Sequence, residues 1–186
     1  MDTRRMLLAK RETAGIGQLR QMSQAMVHGK QERGLIRTHQ FNKVELFTLA
    51  TPESSEAMFE EMLTSAEEVL QGLDLHYRNQ LLCTGDMSFA AAKTVDIEVF
   101  LPGQDRYYEV SSVSNCTSFQ ARRSKIRYKK KEEKPQFINT LNASGVATSR
   151  LMVALLENNQ QPDGSVLIPT VLRKYLDDQK YLTPIK

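Results

Sequence analysis

The chain has 186 residues, of which 40% are apolar and 25% charged, and its formal net charge is +3. This length and composition are those of one globular domain with a sizeable core, and the small net charge excludes a generally polycationic protein. Two cysteines without a Cys-x-x-Cys pair indicate neither a disulfide framework nor a four-cysteine zinc site.

The first half of the chain predicts one strand and one well-defined helix. Residues 1–33 are basic and polar, which predicts a poorly defined segment with one short helix near residues 18–27. Residues 44–50 have the composition of a strand. A helix follows, with Thr51 as the N-cap and Pro52 at its first position, and an apolar stripe recurs at helical spacing until Gly72.

The second half alternates between strands and helices. We expect strands at residues 77–83, 93–101, 106–113 and 137–141, helices at 147–158 and 169–177, and turns or loops at 102–105, 129–134 and 162–164. Antiparallel-looking strands with helices at intervals predict an α+β fold, an antiparallel β-sheet flanked by helices. The sequence contains no Walker, G-x-G-x-x-G or G-x-S-x-G motif.

The block at residues 33–45 carries side chains that suit a nucleotide. Arginine binds phosphate, an aromatic ring stacks on a base or a cation, and a carboxylate accepts an ammonium group or a metal. Arg37, Phe41 and Glu45 are therefore candidate binding residues.

Acidic residues follow on the central strands. Asp96 and Glu98 are two positions apart, so their carboxylates share one face, and Glu109 lies on the next strand across the turn. Three carboxylates near one face could hold Mg²⁺ beside a polyphosphate. The alternative is that Asp96 and Glu98 form the solvent face of a half-buried strand.

The strand around residues 109–115 is unusually rich in hydroxyl groups. By alternation, Glu109, Ser111 and Asn115 share a face and Ser112 points the other way, unless a bulge changes its direction. A polar strand beside a core predicts a lined pocket, and an exposed edge strand is the alternative.

Two further segments contain arginine residues that could bind an anion. Arg122 and Arg123 could meet phosphates or form a solvated surface, and the basic run at residues 125–134 is a hydrated loop that could touch an RNA backbone. Residues 142–150 are small and lead into an apolar helix that carries Arg150. A buried arginine needs an anionic partner, which is either a nucleotide phosphate or a structural carboxylate.

Taken together, these segments resemble the seryl-tRNA synthetase family of class II aminoacyl-tRNA synthetases. Residues 34–45 resemble the second half of class II motif 2, and residues 142–150, continuing to 158, resemble motif 3. The run at residues 109–123 is close to diagnostic of the family. The other ordered matches are at residues 83–87 with 91–99 and at 163–169 with 171–173.

The resemblance implies a class II catalytic core in which ATP and serine give seryl-adenylate, and serine then passes to the 3′ end of tRNA(Ser). By motif position, the ATP-binding residues would be Arg37, Phe41, Glu109, Ser112 and Arg150, of which Arg37, Glu109 and Arg150 are catalytic. Phe41 would stack on adenine, Arg37 would help to place the triphosphate and Arg150 would bind the γ-phosphate. Glu109 and Ser112 would hold Mg²⁺ near the α-phosphate, a role that requires the bulge.

The same resemblance implies a serine pocket formed by Glu45, Asn142 and Ser144. The implied partners are serine, tRNA(Ser) and a second copy of the chain. No membrane is implied, and the compartment would be the cytoplasm or the mitochondrial matrix, because no secretory signal or long apolar run occurs in the sequence.

The sequence also departs from the family pattern. The tRNA-gripping coiled-coil arm and motif 1, which builds the dimer interface, have no counterpart, and Lys10 or Arg11 stands where the first motif 2 arginine is expected. We therefore expect an atypical basic segment at residues 1–33, the C-terminal part of a catalytic core at 34–178 and a tail at 179–186. A non-catalytic synthetase-like protein that binds RNA or another partner is the alternative function.

Overall fold

An antiparallel sheet forms the body of the protein. The computed structural model describes residues 7–9, 18–26 and 34–184. The strands of this part of the chain are β1 Leu7–Ala9, β2 Gln18–Met26, β3 Gln40–Ala50, β4 Tyr77–Leu81, β5 Lys93–Leu101, β6 Arg106–Asn115, β7 Arg127–Tyr128, β8 Gln136–Phe137, β9 Asn139–Ala147, β10 Val166–Leu167 and β11 Tyr181–Leu182. Seven of these described strands form the main sheet, in the order β1-β2-β3-β9-β6-β5-β4, and the strands β7-β8 and β10-β11 form two small ribbons.

Two of the described helices pack on one face of the main sheet. The helices are α1 Ser55–Gly72, α2 Phe119–Ser124, α3 Thr148–Asn159 and α4 Thr170–Arg173, and a short 3-10 helix spans Gly34–Ile36. The apolar stripe of α1 packs on β3, β5, β6 and β9, with Phe59 and Met62 fully buried. Leu151 and Ala154 of α3 join a neighbouring cluster that includes Ile97 and Val99. We call this side of the sheet the covered face and the opposite side the open face.

Two bulges interrupt the ladders of the main sheet. In the β5–β6 pair, Ile97 lies opposite Ser111 but Glu98 lies opposite Glu109, so Val110 is an extra residue in β6. In the β3–β9 pair, Val44 lies opposite Val146 but Glu45 lies opposite Ser144, so Gly145 is an extra residue in β9. A bulge changes which face the following side chains join, and both bulges lie in strands predicted to line the site.

The α+β fold is confirmed, and three local expectations are wrong. The helix α1 begins at Ser55 with Ser54 as its N-cap, so the predicted N-cap Thr51 and first position Pro52 lie in the turn before it. The helix expected near residues 18–27 is the strand β2, which pairs with β3 along its whole length. The strand expected to end at residue 141 continues as β9 to Ala147, so the small-residue segment is part of the sheet. β2 and β11 lie outside the range 34–178 predicted for the core, and each pairs with a strand inside it.

Candidate active site

The open face of the main sheet gathers most of the predicted site residues. Strand alternation places Phe41 and Glu45 of β3 on this face, and the ladder pairs Glu45 with Ser144 of β9. Asn142 lies two residues before Ser144 on the same strand, opposite Ser114 of β6. The three residues predicted to bind serine therefore share one face, and two of them are direct neighbours across strands.

A lysine links two of these residues. Lys43 forms an ion pair with the buried carboxylate of Glu45, and its Nζ donates a hydrogen bond to the hydroxyl of Ser144 at 3.0 Å. Asn142 is half-buried, and its Oδ1 accepts a weak hydrogen bond from the thiol of Cys116 at 3.6 Å. The sequence reasoning missed Lys43, although its place between Phe41 and Glu45 on an alternating strand was a usable signal.

Arg150 ties the first turn of α3 to β6. Its Nη1 donates hydrogen bonds to the carbonyl oxygen of Glu109 at 2.7 Å and to the Glu109 carboxylate at 3.2 Å. Its Nε points at the carbonyl oxygen of Ile36 at 3.5 Å, and Arg37 follows directly in the chain. The carboxylate partner weighed for Arg150 is thus present, and the same contacts bring Arg150, Glu109 and the backbone beside Arg37 together.

The bulge at Val110 determines the face of the hydroxyl groups of β6. Ser111 is buried on the covered face and donates a hydrogen bond to the carbonyl oxygen of Ser144, whereas Ser112 lies opposite Asp96 on the open face. The simple alternation that grouped Ser111 and Asn115 with Glu109 is therefore wrong. The bulge that the predicted role of Ser112 requires is confirmed.

Asp96 is a carboxylate of the open face whose pKa is shifted. Partial burial raises the pKa of Asp96 above its ordinary value, and the negative charges of Glu109 and Glu98 add to the effect. A hydrogen bond from Ser112 and the charge of Arg150 act in the opposite direction. Asp96 therefore interacts with both Glu109 and Ser112, the two residues that were predicted to bind metal.

The predicted metal site formed by the three carboxylates of Asp96, Glu98 and Glu109 is wrong. Nε of Arg78 donates a 2.7 Å hydrogen bond to Glu98, and the Glu109 carboxylate contacts Arg150. Within the part of the chain that the structure describes, no group of three or more Asp, Glu, His or Cys side chains is placed to hold a metal ion. The smaller set of two metal-binding residues, Glu109 and Ser112, stays a prediction.

Comparison with known proteins identifies the class of protein to which this fold and its polar open face belong. A family model described as the tRNA synthetase class II core domain (G, H, P, S and T) matches residues 17–159. The chain therefore belongs to the class II tRNA synthetase core family.

Among the described helices, no segment has the length and apolarity needed to span a membrane.

Two similar proteins within this family are serine–tRNA ligases. Over 84% of its length, the chain is 61% identical to the serine–tRNA ligase of Chlamydia caviae and 59% identical to that of Chlamydia abortus. It covers 37% of each, so it spans a little over a third of the length of these curated relatives.

Two solved structures share the fold. The seryl-tRNA synthetase of Pyrococcus horikoshii complexed with ATP matches with a TM-score of 0.86 and 43% identity, over 91% of this chain and 39% of that one. The cytoplasmic serine–tRNA ligase of Naegleria fowleri in complex with AMP matches with a TM-score of 0.82 and 35% identity, over 91% of this chain and 42% of that one.

Proposed function

We propose that the open face binds ATP and serine and forms seryl-adenylate, as part of a serine–tRNA ligase that transfers serine to tRNA(Ser). The observation that carries the proposal is the arrangement of the two bulges. One brings Ser112 to the face of Glu109, and the other sets Ser144 opposite Glu45. The site residues thus meet in a chain that is 61% identical to a serine–tRNA ligase over most of its length.

For ATP, the proposed contacts use a stacked ring and two cations. The half-buried ring of Phe41 offers a flat surface for adenine, since aromatic side chains stack on bases. Arg37 and Arg150 would take the phosphates, because guanidinium groups bind phosphate oxygens in pairs. Arg150 is already positioned by the Glu109 carbonyl oxygen, so little side-chain entropy would be lost on binding.

For serine, the proposed pocket joins a carboxylate to neutral polar groups. Glu45 would accept the α-ammonium group, and Asn142 and Ser144 would hydrogen-bond the rest of the amino acid. In the structure, the ammonium group of Lys43 already forms an ion pair with Glu45 and donates a hydrogen bond to Ser144. Serine would therefore have to share Glu45 with Lys43 or displace it.

The chemistry is an in-line displacement. A carboxylate oxygen of serine would attack the α-phosphorus of ATP, the new P–O bond would form, and pyrophosphate would leave with the electrons of the broken P–O bond. The attacking group is already an anion, so no general base is needed, and the protein contributes positioning and charge neutralisation.

Glu109 and Ser112 suit a magnesium ion. They offer a carboxylate and a hydroxyl oxygen on one face, and Mg²⁺ in nucleotide sites is held by one or two carboxylates together with phosphates. When bound, the ion would neutralise phosphate charge.

Calorimetric titration of the chain with ATP and Mg²⁺, with and without serine, tests the proposal. We expect binding that serine strengthens, and a loss of ATP affinity in Phe41→Ala and Arg150→Ala. Phe89→Ala is the matched control for Phe41→Ala, because it makes the same truncation at a 90% exposed ring outside the strands of the main sheet. A folded chain that binds no ATP, or equal losses in test and control variants, would refute the proposal.

The second candidate is a non-catalytic synthetase-like protein that binds RNA or another partner. The observation that favours it is the exposed basic segment at residues 122–134. Absence of ATP binding by a folded chain that still binds RNA would support it. A homodimer and a cytoplasmic or mitochondrial location stay predictions in either case.

A further inference from the structure

The ladder between strands β6 and β9 is short, and it ends where both strands bulge. The last pair of this ladder is Val113 opposite Ala143. Just beyond that pair, β6 carries the extra residue Val110 and β9 carries the extra residue Gly145. The two strands therefore separate in the middle of the candidate site. Backbone groups that face such a gap need hydrogen-bond partners other than a ladder neighbour.

Side chains close the gap between these two strands. Ser111 is 2% exposed, and its hydroxyl donates a hydrogen bond to the carbonyl oxygen of Ser144. On the other side of the bulge in β6, Nη1 of Arg150 donates a hydrogen bond to the carbonyl oxygen of Glu109 at 2.7 Å. The hydroxyl of Ser111 therefore acts as a ladder partner for β9, and the guanidinium group of Arg150 does the same for β6.

Ser144 is held from two directions. On the open face, its hydroxyl accepts a hydrogen bond from Nζ of Lys43 at 3.0 Å, and Glu45 lies opposite it on the ladder. Lys43 and Glu45 both belong to β3, whereas the donor to the Ser144 carbonyl oxygen, Ser111, belongs to β6. The hydrogen bond from Ser111 therefore ties this end of the proposed serine pocket to the strand that carries the proposed metal-binding residues.

The geometry of the reaction makes this link important. Ser112 follows Ser111 directly in the chain and lies on the open face with Glu109, whereas the side chain of Ser111 is buried on the covered face. The proposed displacement needs the serine carboxylate about 3–3.5 Å from the α-phosphorus, and a misplacement of about 1 Å can cost roughly a hundredfold in rate. The two halves of the site must therefore keep a fixed separation.

We propose that Ser111 is a positioning residue that fixes the serine pocket relative to the ATP end of the open face, without itself contacting either substrate. This inference rests on the proposed function, because it assigns a role within the same site. Without Ser111, the β3–β9 ladder still supports the serine pocket, and the β5–β6 ladder still supports Glu109 and Ser112. Loss of the hydroxyl should therefore leave each substrate its own contacts and weaken the binding of the two together.

The test is calorimetric titration with ATP and Mg²⁺, without serine and with saturating serine. The ratio of the two dissociation constants is the factor by which serine strengthens ATP binding, which we call the strengthening factor. In Ser111→Ala, we expect this factor to fall by about three- to tenfold, the change that corresponds to the loss of one hydrogen bond. The dissociation constant of ATP without serine should stay unchanged.

Ser55→Ala is the matched control. Ser55 is 7% exposed, and its hydroxyl donates a hydrogen bond to the carbonyl oxygen of Pro52 at 3.1 Å, at the start of α1. Both substitutions remove a buried serine hydroxyl that donates to a backbone carbonyl oxygen, so both should lower the urea midpoint of unfolding. Only Ser111→Ala should lower the strengthening factor. An equal fall in both variants would reduce the effect to a general loss of stability and would overturn the positioning role.

Ser111→Cys tests the hydrogen bond itself. The thiol is similar in size to the hydroxyl and keeps a weak S–H donor, so the strengthening factor should lie between those of the wild type and Ser111→Ala. A factor as low as that of Ser111→Ala would contradict the role of the hydrogen bond. If Ser111→Ala does not fold, Ser111→Cys decides the question, because a factor equal to that of the wild type would overturn the proposal.

The wild-type chain separates this inference from the proposed function. A folded wild type that binds no ATP, or whose ATP affinity serine does not change, would overturn the proposed function and the role of Ser111 with it. A wild type in which serine strengthens ATP binding, together with a Ser111→Ala variant that keeps the full strengthening factor, would overturn only the role of Ser111.

Discussion

The two faces of the main sheet are built from the same strands but carry opposite kinds of side chain. On the covered face, Ile97, Val99 and Val113 are fully buried under helices. On the open face, the neighbouring positions carry Asp96, Glu98 and Ser112. Because successive residues of a strand point to opposite sides, each strand supplies the core and the site at once.

This division separates stability from binding. Apolar burial on the covered face is the main favourable term in folding, whereas the open face holds charges whose cost is limited by pairing, as for Lys43 with Glu45 and for Arg150 with Glu109. Substitutions on the covered face should therefore change the free energy of unfolding. Substitutions on the open face should mainly change ligand affinity.

The largest expected effect is that of Phe59→Ala on the covered face. Phe59 is fully buried between α1 and the sheet, so truncation should reduce the free energy of unfolding by about 3–5 kcal/mol. Denaturant unfolding measures this change. Phe89→Ala is the matched control, because the same truncation at a 90% exposed ring should change stability by less than about 0.5 kcal/mol. Similar losses in both variants would break the comparison between the faces.

Gly145→Ala tests the bulge that connects the two faces. A Cβ at Gly145 would lie 3.3 Å from Cγ1 and 3.4 Å from the carbonyl oxygen of Val44, which is crowded on the backbone side. We expect a loss of about 1–3 kcal/mol in the free energy of unfolding, together with weaker enhancement of ATP binding by serine, because Ser144 is adjacent. Gly85→Ala, where the Cβ would meet nothing within 4 Å, is the control.

Lys43→Met sharpens the account of the open face. Removing the ammonium group of Lys43 leaves the buried Glu45 carboxylate without its partner. The α-ammonium group of serine then no longer competes with Lys43 for the Glu45 carboxylate. Serine should bind up to about tenfold more tightly, which corresponds to about 1.4 kcal/mol, and the folded protein should become less stable. Titration with serine in the presence of ATP measures the first effect. Weaker serine binding would show that Lys43 helps to hold the amino acid. Lys93→Met, which breaks an ion pair with Glu56 elsewhere, is the control.

The smallest expected effect concerns Asp96 and pH. Burial raises the pKa of Asp96, so the unfolded chain releases this proton first as pH rises. The group therefore destabilises the folded state between an unfolded pKa of about 3.9 and its higher folded pKa, and the loss persists at neutral pH. Asp96→Asn should recover a few tenths of a kcal/mol at neutral pH, after allowance for solvent screening, and nothing below about pH 3. A gain that grows toward low pH would contradict this assignment.

The covered face could be predicted largely from the sequence, whereas the open face could be predicted only in part. The apolar stripe of α1 and the alternation of β5 follow from local spacing. β2 was missed because its sequence, Gln-Leu-Arg-Gln-Met-Ser-Gln-Ala-Met, has no β-branched residue, and its strand geometry comes from pairing with β3.

The bulges show why local spacing was insufficient for the site. A one-residue insertion at Val110 moves Ser112 to the face of Glu109 and sends Ser111 into the core, and nothing in residues 109–115 alone specifies it. The role of Ser112 came from the family resemblance, which required the bulge before the structure showed it. The contacts of Arg150 with Glu109 and Ile36 join segments more than 40 residues apart, beyond the reach of any periodicity argument.

The most direct test of the central claim is the coupling between serine and ATP on the open face, measured by calorimetry with Mg²⁺ on the wild-type chain and on Glu45→Gln. The account predicts that serine strengthens ATP binding to the wild type and has no effect on the variant, while ATP alone binds both equally. Unchanged ATP affinity in the presence of serine, or equal strengthening in Glu45→Gln, would contradict the claim that these bulged strands form one seryl-adenylate site.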